Sequence, residues 1–230
     1  CYGKVVEDEK FFDRVIDCSE KYLAPGIIDV GVKICEPGER HKESFRTASL
    51  AAASGGVTSI ITRPDTIPAI DTPEKLEFVI KRADNVSPIN IYPMAALTRD
   101  RAGSEMTELG LLRDAGAIGF TDCDQVMVNN KVLTRCLTYA ASLDMLVQGH
   151  PQDTTLSAGA SATSGKFASL RGLPSVNAIA EMIGVQRDLA IVELTGVKYH
   201  FDQLSTSRAL DPLKRAKRDG LDVTAGVSIH

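Results

Sequence analysis

The sequence predicts an α/β fold, a (β/α)8 barrel of which this chain carries roughly strands one to seven. Three observations predict it. Short β-branched runs alternate with amphipathic stretches along nearly all of the 230 residues, the order expected of βα units around a parallel sheet. Tryptophan is absent and aromatic residues make up only 5% of the chain, so the core must be built from Val, Ile, Leu and Ala, as suits a parallel sheet covered by helices. No Gly-x-Gly-x-x-Gly follows the first strand, which disfavours the open, doubly wound sheet that binds dinucleotides.

The elements follow in order. "GIIDVGVKI" (26–34) is the first strand, and "KESFRTASLAAASGG" (42–56) has helical spacing, an alanine-rich face and two glycines to stop it. "VTSIITRPD" (57–65) is the second strand. "TPEKLEFVIKRAD" (72–84) opens with an N-cap threonine and a proline at the first helical position, with carboxylates early and basic residues late. "INIYPMAAL", "AIGFTD" and "MLVQGH" are strands three to five, separated by helices in "EMTELGLLRDAG" and "NKVLTRCLTYAASLD". The segment "PQDTTLSAGASATSGKFASLRG" (151–172) is rich in small polar residues and has no period, so it reads as a long loop. A long helix in 174–196, a strand in "VKYHFDQL", a helix entered or interrupted at Pro212 and a strand in "LDVTAGVSIH" complete the chain. Upstream, "RVIDCS" reads as a lone strand, and residues 1–24 as the remnant of a small β-domain leading into a barrel over 25–230. Seven strands leave a barrel unclosed and its edges unpaired, so both ends read as cut.

Composition excludes several classes of function. A formal charge of −4 gives no basic face to hold a phosphate backbone, and no apolar run approaches the roughly 20 residues that cross a bilayer. Neither nucleic acid nor membrane is expected as a partner, and a cytoplasmic location is. The five cysteines, Cys1, Cys18, Cys35, Cys123 and Cys136, are scattered without Cys-x-x-Cys spacing, as befits reduced structural thiols.

In such barrels the reactive groups stand at the C-terminal ends of the strands. Here those ends carry Gly31, Lys33, Cys35 and Glu36; Arg63 and Asp65; Asp122 and Asp124; His150; Gln203 and Ser205; and His230. Asp122, His150 and His230 are of the types that bind zinc, and three ligands from separate strands can make one open site. Equally, each can be a polar strand end bonded to backbone.

These residues carry a family resemblance. "APGIIDVGVKICEPGERHKESFRTASLAAASGGVTSIITRPDTIPAID" resembles the opening barrel segment of the dihydroorotases, within the cyclic amidohydrolases, where the pattern is close to Pro-Gly-x-x-Asp-x-His-x-His-x-Arg-Glu-Pro-Gly. "GAIGFTDCD", "LVQGHPQD" and "YHFDQLSTSRALDPLKRAKRDGLDVTAGVSIH" are similar to later segments, so the likeness covers nearly the whole chain. It implies an amidohydrolase-type TIM barrel, pyrimidine biosynthesis, and interconversion of carbamoyl-aspartate and dihydroorotate by a zinc-bound hydroxide. Asp122 stands where related hydantoinases place a carbamylated lysine, a choice resembling one dihydroorotase class. Carried over by position, Asp122 and His150 remain as metal ligands, whereas Gly31, Lys33 and Gln203 occupy lost ligand positions. The substrate-binding arginine is matched by Cys35 and the substrate-binding asparagine by Asp65. The proton-transfer aspartate falls beyond the end of this chain, and His230 matches a histidine not usually counted as a ligand.

Two readings follow from the resemblance. One is a dihydroorotase with zinc at a single weakened site of Asp122, His150 and His230, acting on a small-molecule substrate. The other is a pseudoenzyme without metal, retained as a partner or scaffold of aspartate carbamoyltransferase; a homo-oligomer is expected in either. A third reading is an amidohydrolase of altered specificity in which the Lys33 ammonium replaces one metal charge.

Overall fold

The computed structural model describes residues 16–227. Seven parallel strands form the barrel wall: β1 (Ile27–Val32), β2 (Val57–Thr62), β3 (Asn90–Pro93), β4 (Gly119–Thr121), β5 (Leu146–Gly149), β8 (Lys198–Phe201) and β9 (Val223–Ala225). They pair as β1-β2-β3 and as β4-β5-β8-β9, and a parallel bridge between Ala95 and Phe120 carries the wall from one group to the other. Outside the wall, β6 (Ala162–Thr163) and β7 (Ser175–Val176) pair with each other in the excursion that follows β5.

Six helices connect the wall strands: α1 (Phe45–Ser54), α2 (Pro73–Val86), α3 (Leu109–Asp114), α4 (Asn130–Ser142), α7 (Ile179–Thr195) and α8 (Ser207–Arg218). Their starts follow from local chemistry. Ser44 and Thr47 close a reciprocal capping box on α1, and Asn129 accepts from the backbone N–H groups of Lys131 and Val132 at the start of α4. Thr72 occupies the N-cap of α2 without a side-chain cap bond, and Pro73 opens that helix as expected. The long helix α7 ends at Gly196, which supplies the left-handed residue such a stop needs (φ 68°). Helix α8 runs unbroken through Pro212.

The core lies between wall and helices. Phe120, Phe201, Leu112, Leu137, Leu76 and Val79 are fully buried there, and Tyr199 and Phe201 meet edge to face with ring centroids 4.8 Å apart. Along β8, Tyr199 and Phe201 are buried while Lys198 and His200 are partly exposed, the alternation of a strand with one face against helices.

Three expectations need correction. The segment 151–172 is not featureless: it holds α5 (Thr154–Ser157), β6 and α6 (Lys166–Arg171). The helix expected from residue 174 begins at Ile179, because Ser175 and Val176 pair with β6 instead. Of the lone strand "RVIDCS", the described part, Ile16–Ser19, is not a strand, and Arg14 and Val15 lie outside the described residues.

Candidate functional site

The residues at the C-terminal ends of the strands form two adjoining constellations. The first centres on Asp122, directly after β4. Its Oδ1 accepts from the backbone N–H groups of Leu97 (3.0 Å) and Thr98 (2.9 Å), and its Oδ2 accepts from the Thr98 hydroxyl (2.5 Å). The Thr98 hydroxyl oxygen in turn accepts from Gly103 N–H at 2.8 Å. Burial raises the Asp122 pKa, and these hydrogen bonds oppose the rise. Asp122 therefore anchors the connection that follows β3.

The second constellation is a chain of ion pairs. Lys33 Nζ lies 3.2 Å from Asp65 Oδ2, and Arg63 Nη2 lies 3.3 Å from the same oxygen and 3.5 Å from Asp124 Oδ1. Arg101 Nη1 reaches Asp124 Oδ1 at 3.1 Å and also donates to the Asp122 carbonyl at 3.3 Å. Asp65 is buried while the Lys33 side chain is about half exposed (54%), so the pair joins an interior carboxylate to an accessible ammonium. Asp65 Oδ1 and Arg63 Nε are buried without a partner.

The other expected positions fall as follows. His150 follows β5, and its Nε2 is 3.3 Å from Gln152 Oε1; Asp122 and His150 both line a cavity of about 20 Å³. Gly31 sits on β1 with φ +83°, a left-handed conformation that any side chain would strain. A Cβ built there would lie 3.4 Å from Gln148 Nε2 and 3.9 Å from Asp202 Oδ1, so these groups converge on one point. Gln203 is exposed and also left-handed (φ 53°). Cys35 is partly buried, and its carbonyl accepts from Glu39 N–H at 2.8 Å in the turn after β1. His230 lies outside the described residues.

Sequence reasoning missed Thr98, Arg101 and Gln148. Gln148 is 2% exposed with neither amide atom hydrogen-bonded, and its one signal was a polar residue inside an otherwise apolar strand. Glu36 has a structural explanation: its carboxylate accepts from Phe45 N–H at the start of α1 (3.0 Å) and from Arg82 on α2 (2.8 Å).

The matched donors are too few for a zinc centre of three protein ligands: of them Asp122 and His150 remain, and Lys33 stands as a cation at one of the positions the resemblance matches to a ligand. Among the described residues no group of three or more His, Cys, Asp or Glu could hold a metal ion. None of the described helices is long and apolar enough to cross a membrane.

Thiol chemistry separates the four described cysteines. Burial pushes the Cys123 and Cys136 thiols up to about 12, whereas Cys18 is exposed and Cys35 partly so. With an aromatic disulfide reagent at pH 8, Cys18 and Cys35 are expected to react in the native protein, and Cys123 and Cys136 only after unfolding. Mass mapping of the labelled peptides checks this, and rapid native labelling of Cys123 would contradict it.

Comparison with known proteins agrees with the barrel. The solved structure of L-hydantoinase (dihydropyrimidinase) from Arthrobacter aurescens superposes with a TM-score of 0.81 at 21% identity, covering 94% of this chain and 49% of that one. A dihydroorotase of Syntrophus aciditrophicus is 37% identical over 228 residues, 99% of this chain and 53% of the relative. A dihydroorotase-like protein of Pseudomonas putida is 38% identical over 217 residues, 94% of this chain and 51% of the relative. The chain thus spans about half the length of the curated relatives it matches. The dihydro-orotase-like family model matches residues 20–209, most of the chain, and the chain belongs to that family.

Proposed function

We propose that this chain is the barrel of a dihydroorotase-family protein of pyrimidine biosynthesis whose site is degenerate, so that it no longer opens or closes a cyclic amide with a metal-bound hydroxide. The observation that carries the reading is Lys33, an ammonium 3.2 Å from the buried Asp65 carboxylate at a position the resemblance matches to a metal-binding histidine. A catalytic zinc needs typically three protein ligands and an open position. The left-handed backbone at Gly31 (φ +83°) supports the same reading, because a histidine there would be strained.

The test is turnover of dihydroorotate and carbamoyl-aspartate by the full-length protein with equimolar zinc, with metal content measured alongside. Background turnover and less than one zinc per chain are expected. Turnover that tracks zinc would establish the competing reading, a working dihydroorotase using Asp122 and His150.

The role that remains is that of a partner of aspartate carbamoyltransferase, the enzyme the resemblance associates with this family. Co-sedimentation of the two full-length proteins at micromolar concentration is the measurement. Independent sedimentation would remove the scaffold role and leave the catalytic question as it was.

A further inference from the structure

We infer that protein cations hold this barrel mouth together where a metal's charge would otherwise stand, through the alternating chain Lys33–Asp65–Arg63–Asp124–Arg101. The inference deepens the proposed loss of metal chemistry and rests on that reading for its comparison with a metal site.

The chain is continuous and alternates in sign. Lys33 follows β1, Arg63 and Asp65 follow β2, Asp124 follows β4, and Arg101 belongs to the connection after β3. Its links of 3.2, 3.3, 3.5 and 3.1 Å therefore join the ends of three strands to the connection that Asp122 anchors. In a bridged metal centre the cation stands between ligands from separate strands; here two side-chain cations, Lys33 and Arg63, converge on one carboxylate oxygen of Asp65.

Burial makes that convergence a requirement. The Asp65 side chain is 3% exposed, and an ionised carboxylate so placed is strongly unfavourable unless it is paired. Arg63, 12% exposed, is the inner counter-ion, and Lys33 is the outer one. The two positions are also matched in chemistry: where the resemblance places a histidine and an asparagine, this chain has Lys33 and Asp65, a cation and an anion in contact. The accessible members of the chain are Lys33 and Asp124, whereas Arg63 and Arg101 are largely buried between them.

The experiment is thermal unfolding of the full-length protein, with EDTA and with excess zinc, for the wild type, Arg63→Met, Asp65→Asn and the double variant. The wild-type Tm is expected to be the same with EDTA and with zinc. Arg63→Met is expected to lower Tm by about 5–10 °C, because it leaves Asp65 with one half-exposed partner, and adding Asp65→Asn should restore most of the loss. If Arg63→Met does not fold, the cycle of Lys33→Met with Asp65→Asn reads the same coupling at smaller amplitude. A zinc-dependent rise in wild-type Tm reversed by EDTA, or additive effects at 63 and 65, would overturn the inference. Additive effects leave the proposed loss of catalysis standing, whereas dihydroorotate turnover would remove that proposal and leave a measured 63–65 coupling intact.

Discussion

Replacing Asp188 with alanine is expected to lower the free energy of unfolding by about 3–5 kcal/mol. Asp188 is 1% exposed on α7 and ties that helix to the wall. Its Oδ1 accepts from Arg187 Nε (2.8 Å) and Nη2 (2.6 Å), and its Oδ2 accepts from the Tyr199 hydroxyl on β8 at 2.9 Å. Burial raises the Asp188 carboxyl, and Arg187 and Tyr199 pull it back. Arg187 also donates to the Met127 carbonyl at 3.0 Å, so the network reaches the loop between β4 and α4. Alanine leaves a buried phenol and a partly buried guanidinium without their acceptor, and that is where the cost arises. Tyr199→Phe, which removes one hydrogen bond and no charge, should cost only about 1 kcal/mol. Urea unfolding of both variants checks the pair, and a loss below 1 kcal/mol for Asp188→Ala would show that the network does not support the helix.

Gly38→Ala carries the second large effect, about 3 kcal/mol, from two additive causes. Gly38 has φ +101°, which strains any residue with a Cβ, and a Cβ there would lie 2.2 Å from the Ile67 carbonyl oxygen. Because the obstacle is backbone, it cannot rotate aside, and the turn after β1 and the one after β2 must separate. Gly56→Ala isolates the first cause: φ there is +81°, but nothing lies within 4 Å of the added Cβ. Strain alone predicts a loss of about 1–2 kcal/mol at Gly56. Equal losses at the two glycines would refute the clash with Ile67.

The wall strands were legible from their alternation with helices that have an apolar face: β1 (IIDVGV) and β2 (VTSIIT) are long and β-branched, and the three-residue β4 and β9 were placed by that order and not by a period of their own. What escaped the sequence was short or non-local. Strands β6 and β7 have two residues each, too few for a period, and their pairing spans the α6 turn. The site divides in the same way. Asp122 and Asp65 were visible as strand-end carboxylates, but the partners that define them come from 24 and 32 residues away, Thr98 for one and Lys33 for the other. Thr98 offers no motif, and Arg101 sits in a turn whose left-handed φ of 58° no local pattern announces. Chemistry that arises from convergence is written in the fold, not in spacing along the chain.

The backbone at Gly31 sets a condition on any redesign of this barrel mouth. The chain there holds a φ of +83°, which suits glycine and strains a residue with a Cβ. Gln203, by contrast, already carries a side chain at φ 53°, in the left-handed region that histidine tolerates better than most residues. A histidine at 203 therefore makes no new demand on the backbone, whereas one at 31 brings strain before it brings a usable imidazole. Adding donors to this mouth is thus a matter of sequence in time, with the glycine as the step that asks the main chain to move first.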